Sequence, residues 1–289
     1  MEDRRQLEEQ SAPVERISFD RYIDWARSKL GLDLSAPAIR QQFLVNQTAA
    51  LTSTEESTFF RAVAQRLKDC SLAYAKSGGY RLFMTEDIDN AVSLVRKSFE
   101  STLDKSYRLN ILWNRRFPRE PVGGWYCPNN WFQRLDDLIR TSVVCKYLDG
   151  LECVASGLMS LATELGFQAD SVPRATDNGY YAIHFYVEVP ITIAGDGYQP
   201  LDIRLKCEIQ ITTQLQEILR QLTHTFYEHE RIKNASDRQS WKWAFASPRF
   251  KATYLGHTLH LIEGLILEIK NDSVVSSVSS DPASGFSHD

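Results

Sequence analysis

The spacing of the apolar residues changes near residue 140, and this change constrains the fold more than any other feature of the sequence. Before it, apolar residues recur at helical spacing. After it, helix-like segments separate three stretches of β-branched or alternating apolar residues, which are TSVVCKY at 141–147, YAIHFYVEV at 181–189 and DIRLKCEIQI at 202–211. Such stretches predict strands, and strands that alternate with helices predict an α/β core.

Helices are expected before, between and after these strands along the chain, because the remaining apolar residues follow a helical period. The predicted helices are 19–30, 54–77, most of 85–113, 151–165, 214–233 and 251–270. Pro190 is expected to end the second strand. The turn Gly195-Asp196-Gly197 predicts that the second and third strands form an antiparallel hairpin.

Composition along the chain predicts its domain boundaries. The polar, mixed-charge start predicts a mobile arm at 1–17, and the serine-rich end predicts a disordered tail at 272–289. Between them we expect a helical N-terminal region at 18–90 that packs on a main domain at 91–271.

The charge and the cysteines exclude some classes of function. The formal net charge is −4, so the chain as a whole is not suited to holding long nucleic acid, although a local basic pocket is compatible with it. The five cysteines are dispersed and form no C-x-x-C pair, which predicts reduced thiols and a cytoplasmic protein. A signal peptide and a membrane span are not expected, because the apolar runs are too short.

The first candidate site is a pair of polar residues, Glu208 and Gln210, in the third predicted strand. On a strand both side chains point to the same face, opposite Cys207 and Ile209. On pattern alone, a solvated face of an antiparallel sheet is the commoner explanation.

Two further candidate segments lie at the starts of strands. Asp136 and Asp137 precede the first strand, where a carboxylate could help to hold Mg²⁺, an ion that prefers oxygen ligands. A turn cap or a surface ion pair also explains them. Before the second strand, Tyr180 could stack on a nucleobase, a contact of about 1–3 kcal/mol. A sheet aromatic next to a core histidine, His184, is the alternative.

Taken in order, the three segments resemble the synthetase domain of the RelA/SpoT family, which makes the alarmones guanosine tetra- and pentaphosphate. The matching motifs are an Asp at the first strand (Asp137 in DLIRTSVV), a G-Y-x-x-x-H loop (Gly179, Tyr180, His184) and an E-x-Q strand (Glu208, Gln210). The resemblance covers residues 90–270. The H-D dyad of the hydrolase domain found in long members is not visible, so the chain resembles the small stand-alone synthetases.

This resemblance implies a fold and a set of roles. The fold would be α/β (α+β), a mixed β-sheet of about five strands flanked by helices, nucleotidyltransferase-like, with a helical N-terminal third. Asp137 and Glu208 would be the catalytic carboxylates and the Mg²⁺ ligands, and Glu208 would also accept the proton of the attacking 3′-hydroxyl. Tyr180, His184 and Gln210 would bind the acceptor. Mg²⁺ would bridge the ATP phosphates while AMP leaves.

The basic ATP-binding motif of the family, R-x-K followed by a serine and further basic residues, is poorly kept. The nearest stretch found in the sequence is KSYRLNILWNRRFPR, with Asn110 at the expected lysine. The resemblance therefore carries the ATP-binding role to Arg108, Arg115 and Arg116. The arginine usual after the E-x-Q strand is Thr212, which leaves the acceptor open.

Several readings of the function remain. The acceptor would be GDP or GTP in an alarmone synthetase. In a translation-blocking toxin the acceptor would be the 3′-terminal adenosine of tRNA, and an antitoxin would be the partner. The D-L-I-R-T run of this chain resembles such toxins. Adenine nucleotides are a further acceptor, and self-association into a homo-oligomer is a further expectation. The alternatives are a nucleotide-binding pseudoenzyme and a nucleotidyltransferase, which would release pyrophosphate instead of AMP.

Overall fold

The computed structural model describes residues 16–84, 88, 92–232 and 240–279. Within them, a 3₁₀ turn at Phe19–Arg21 leads into the first helix. The helices are α1 Tyr22–Leu30, α2 Pro37–Glu56, α3 Thr58–Gly78, α4 Phe99–Tyr107, α5 Trp131–Arg134, α6 Gly150–Glu164, α7 Gln214–Ile232 and α8 Pro248–Ser279. The predicted helix at 19–30 is confirmed.

The N-terminal helices differ from the prediction in one respect, since α2 was not expected. Its inward-facing side chains include Asn46 and Gln47, which are polar yet buried, so its apolar spacing is weak. The helix predicted to start at 54 starts at Thr58 instead. Ser57 caps it, because its hydroxyl accepts the amide hydrogen of Phe60 at 3.3 Å.

The sheet has five strands in the order β1-β2-β5-β4-β3, and these are β1 Val95–Arg96, β2 Ile139–Cys145, β3 Ala169–Ala175, β4 Tyr181–Ala194 and β5 Pro200–Thr213. Strands β2 and β5 pair in parallel, and the other neighbours pair antiparallel. The predicted mixed five-stranded sheet flanked by helices is therefore confirmed, as is the hairpin between β4 and β5. Strands β1 and β3 were not predicted.

Strand β4 runs through Pro190, so the prediction that this proline ends the strand is wrong. The amide of Glu188 donates to the carbonyl of Gln168 at 2.9 Å, on the β3 side. Because a strand repeats every two residues, the nitrogen of Pro190 faces this same side of β4. Strand β3 does not extend alongside Pro190, since its first residue, Ala169, pairs with Val187. The proline therefore removes no hydrogen bond from the sheet.

The segment predicted to be mostly helical at 85–113 is helical only in its second half. Val95 and Arg96 form β1 and pair with Arg140 and Ile139. Ser98 then caps α4 by accepting the amide hydrogen of Ser101 at 3.1 Å. A single π-helical turn, Arg108–Leu112, follows α4 directly. Residues 85–87 and 89–91 lie outside the described part.

One face of the sheet carries the core, and helices α2 and α6 contact it. Cys207, Ile209 and Phe185 are fully buried there, and the ring of Phe59 from α3 stacks on Phe185 with centroids 6.1 Å apart. Because side chains alternate along a strand, the polar residues between these positions point to the other face.

At both ends, the described structure includes a few residues of a segment that the sequence predicts to be mobile or disordered. Helix α8 continues to Ser279, which differs from a disordered tail starting at 272; residues 280–289 lie outside the described part, as do 1–15 of the predicted arm. Ile17 packs against the core. Lys270 holds α8 to the body of the protein, since its ammonium donates to the Tyr74 hydroxyl at 2.5 Å and to the carboxylate of Asp149. Among the described residues, no helix combines the length and apolarity needed to span a bilayer.

Candidate functional site

Glu208 lies near the middle of the polar face of the sheet. In the strand register it pairs with Arg140 of β2 on one side and with Tyr186 of β4 on the other. The next row places Gln210 opposite His184. Cross-strand pairing therefore brings the E-x-Q strand and the histidine of the G-Y-x-x-x-H loop together. Glu208 is 4% exposed, so this carboxylate needs hydrogen-bond partners.

Both oxygens of Glu208 have such partners. Oε1 lies 2.7 Å from Nδ1 of His184 and accepts the hydroxyl of Tyr186 at 3.2 Å. Oε2 accepts the side-chain amide of Gln210 at 2.8 Å. Since a carboxylate accepts, we assign the imidazole hydrogen of a neutral His184 to Nδ1. Its Nε2 is then an acceptor.

The acceptor nitrogen of His184 binds Tyr180, whose hydroxyl lies 2.9 Å from Nε2. The two rings meet edge to face, with centroids 5.8 Å apart. Burial raises the pKa of Tyr180 above its ordinary value, and the charge of Glu208 adds to the rise. Tyr180 therefore stays a hydrogen-bond donor at neutral pH, and one chain of hydrogen bonds joins Tyr180, His184, Glu208 and Gln210.

Tyr186 is a member of this network that the sequence did not single out. Burial raises the pKa of its hydroxyl to about 12, with the charge of Glu208 adding to the rise and a hydrogen bond with Arg174 opposing it. A protonated phenol is thus kept against the carboxylate. The signal was present in the sequence, because Tyr186 is two residues after His184 on the same strand face.

Asp137 has a different set of partners from Glu208. Its Oδ2 accepts the ammonium of Lys97 at 2.9 Å and its Oδ1 accepts that of Lys105 at 2.8 Å. Lys105 also donates to Asp136 at 2.6 Å. Burial would raise the pKa of Asp137, but the two ammonium charges outweigh it and lower the pKa to about 2. Asp137 is therefore held as a carboxylate by two lysines.

Among the described residues, the two predicted carboxylates share no hydrogen-bond donor. Asp137 precedes β2 by two residues and is bound to lysines, whereas Glu208 is bound to groups on β4 and β5. The strands that carry them are adjacent and parallel. The structure thus brings Glu208, His184, Tyr180 and Gln210 together, and it places Asp137 beside Lys97 and Lys105.

The oxygen atoms of Asp137 and Glu208 are the predicted ligands of Mg²⁺. Carboxylates suit this ion chemically, but all four oxygens of Asp137 and Glu208 already accept hydrogen bonds from protein donors. Within the described ranges, no group of three or more His, Cys, Asp or Glu side chains is placed to hold a metal. In this conformation the residues do not fit a magnesium ion bound by the protein alone.

In the described part of the chain, the contacts of the three predicted ATP-binding arginines do not include Asp137 or Glu208. Arg108 pairs with Asp104 at 2.8 Å and lies over the ring of Trp113 at 4.9 Å. Arg115 and Arg116 are exposed in the turns that follow. Their ATP-binding role stays a prediction.

Asn110, at the position where a phosphate-binding lysine was expected, is a core residue. It is fully buried, and its amide donates to the hydroxyl of Tyr22 and the carbonyl of Tyr126, both at 2.8 Å. Lys97 and Lys105 donate hydrogen bonds directly to Asp137, a predicted catalytic residue. The sequence contained the signal, because Lys97-Ser98 fits the lysine and serine of the R-x-K-serine motif, with Val95 in place of the arginine.

The loop 176–180 packs on α8 through Gly179. A cavity of about 290 Å³ opens beside this contact. It is lined by Ala175, Thr176, Asp177, Tyr181, Lys242, Thr253, Tyr254 and His257. None of the predicted site residues lines it, so it is distinct from the network around Glu208.

The sequence matches no family model and no curated protein. Solved structures do match it. Small alarmone synthetase 1 from Bacillus subtilis is 15% identical with a TM-score of 0.47, over 81% of this chain and 96% of that one. The same enzyme bound to its product pppGpp is 15% identical with a TM-score of 0.48, over 81% and 97%. A GTP pyrophosphokinase family protein from Streptococcus pneumoniae is 17% identical with a TM-score of 0.45, over 78% and 95%.

Proposed function

We propose that this protein transfers the β,γ-pyrophosphoryl group of ATP to a ribose 3′-hydroxyl. In this reaction the 3′-oxygen attacks the β-phosphorus, the bond from that phosphorus to the α,β-bridging oxygen breaks, and AMP leaves. The observation that carries the proposal is the buried Glu208 carboxylate, held by His184, Tyr186 and Gln210 next to the strand that follows Asp137.

Glu208 is the proposed general base, which takes the proton of the 3′-hydroxyl. His184 and Tyr186 both bind Oε1, whereas Gln210 alone binds Oε2. If the acceptor hydroxyl replaced the amide of Gln210 at Oε2, this oxygen could take the proton of the hydroxyl. His184 and Tyr186 would keep the carboxylate oriented through Oε1. A positioned base of this kind contributes about 10²–10⁴-fold to a rate.

Lys97 and Lys105 are proposed to bind the phosphates of ATP. Both are largely buried beside Asp137, and compact ammonium groups bind phosphate oxygens as point charges. The triphosphate would compete with Asp137 for them. Mg²⁺ stays a predicted cofactor, and no step is assigned to it.

The test is release of AMP from labelled ATP with GDP, GTP, ADP and tRNA offered in turn. Glu208→Gln keeps the size of the side chain and removes the base, so AMP release should fall about 100-fold or more while the circular dichroism spectrum is unchanged. Glu164→Gln, on an exposed part of α6, is the matched control and should leave the rate unchanged.

The same assay separates the remaining readings. The acceptor that carries the label distinguishes an alarmone synthetase from a tRNA-modifying toxin. Release of pyrophosphate instead of AMP would identify a nucleotidyltransferase. Nucleotide binding without AMP release for any acceptor would contradict the proposal and favour the pseudoenzyme.

A further inference from the structure

Helix α8 and the loop that carries Tyr180 touch backbone to backbone. A Cβ atom on Gly179 would lie 2.5 Å from the carbonyl oxygen of Thr253, and a Cβ atom on Gly256 would lie 2.4 Å from the carbonyl oxygen of Gly179. Gly179 also has a φ of +78°, a conformation that favours glycine. No side chain fits at either position, so the loop rests directly on the helix.

Two histidines of α8 hold the residue that follows Tyr180. The hydroxyl of Tyr181 lies 2.8 Å from Nδ1 of His257, and its ring stacks on His260 with centroids 3.7 Å apart and planes 8° apart. Nε2 of His257 lies 3.3 Å from the carbonyl oxygen of Asp177. Because a carbonyl only accepts, Nε2 carries the hydrogen and Nδ1 accepts the hydroxyl of Tyr181. One imidazole therefore ties both ends of the loop.

The helix is itself fixed to the body of the protein at points that do not involve the loop. Glu263 is buried and accepts the hydroxyl of Thr213 at the end of β5. Farther along, Lys270 is buried between Tyr74 and Asp149. Helix α8 can therefore act as a rigid support for the loop.

We infer that His257 is a positioning residue for the acceptor site, a role that rests on the proposed function. It holds Tyr181 and Asp177, which flank Gly179 and Tyr180 in the chain, and the hydroxyl of Tyr180 in turn binds His184 beside Glu208. His257 itself bonds to Tyr181 and to the carbonyl of Asp177, so it acts on the reaction through the loop. Loss of this support should weaken acceptor binding more than the chemical step.

A double-mutant cycle tests the inference with the acceptor that the screen identifies and with saturating ATP. His257→Ala and Tyr181→Phe should each raise the KM for the acceptor about tenfold, with kcat changed less than about threefold. The double variant should be no worse than His257→Ala alone, because that change already removes the contact that Tyr181→Phe removes. Tyr181→Phe keeps the ring on His260 and so preserves the fold.

Two further variants sharpen the cycle. His257→Asn keeps an acceptor near the position of Nδ1 and should recover part of the KM. Thr258→Ala changes an exposed neighbour on α8 and should have no effect. Additive effects in the cycle, or a KM that His257→Ala leaves unchanged, would overturn the inference.

Hydrogen exchange gives a readout that does not depend on activity. The amides of Thr176 and Gly179 donate within the loop, to the carbonyls of Tyr180 and Thr176 at 3.1 and 2.9 Å. In His257→Ala both should exchange at least about fivefold faster than in Thr258→Ala. If the wild-type protein transfers nothing to any acceptor, the proposed function fails. The exchange rates alone then decide whether His257 holds the loop. Equal rates in His257→Ala and Thr258→Ala would refute this role of His257.

Discussion

The pairing of Asp137 with two lysines predicts a specific loss of stability in acid. The folded protein lowers the pKa of this carboxyl from 3.8 to about 2, which at about 1.4 kcal/mol per pH unit corresponds to about 2 kcal/mol. A lowered folded-state pKa means that this stabilisation is present above pH 4 and is lost as the pH falls toward 2. Linkage gives a loss of about 1 kcal/mol by pH 3. The side chain is 13% exposed, so solvent screening removes little of it.

The measurement is the free energy of urea unfolding at pH 5, 4 and 3 for the wild type and for Asp137→Asn. The asparagine variant should be less stable at pH 5, because two buried ammonium groups lose their counter-charge. The gap between the two proteins should then narrow by about 1 kcal/mol on going to pH 3. Asp170→Asn, at an exposed position, is the control. A gap for Asp137→Asn that stays constant over this range would refute the argument that the lysines stabilise this carboxylate.

Two further outcomes follow from the packing and the charges. Mg²⁺ at up to about 10 mM without nucleotide should leave the thermal midpoint unchanged to within about 1 °C, because the oxygens of Asp137 and Glu208 already accept protein donors; a rise of several degrees would reveal a preformed magnesium site. Gly157→Ala should cost about 1–3 kcal/mol of unfolding free energy, since the new Cβ would lie 2.3 Å from the sulfur of Cys70. Adding Cys70→Ala should restore part of this loss, and a double variant no more stable than Gly157→Ala would exclude the clash as its cause.

The strands that the sequence revealed are those in the middle of the sheet. Strands β2, β4 and β5 bury one face, so selection of apolar residues at every second position leaves a clear pattern. Strand β1 has only two residues, and β3 is largely exposed and contains Pro173. Edge strands of this kind carry little periodic signal, because only one neighbour and little core constrain their side chains.

The residues of the candidate site divide in the same way. Glu208, Gln210, Tyr180 and His184 lie in short motifs whose spacing along the chain is fixed, so a sequence suffices to propose them. That these side chains meet depends on the pairing register of β4 and β5. A slip of one residue would turn His184 to the opposite face of the sheet from Glu208.

By itself, the sequence determined the central strands, the hairpin, most of the helices and the motif residues, because each depends on the local order of apolar and polar side chains. Only the tertiary structure decided that Lys97 and Lys105 are the partners of Asp137, that Tyr186 binds Glu208, and that His257 holds the loop of Tyr180. These contacts join residues that are between 22 and 76 positions apart. Packing sets such distances, and no local pattern in the sequence records them.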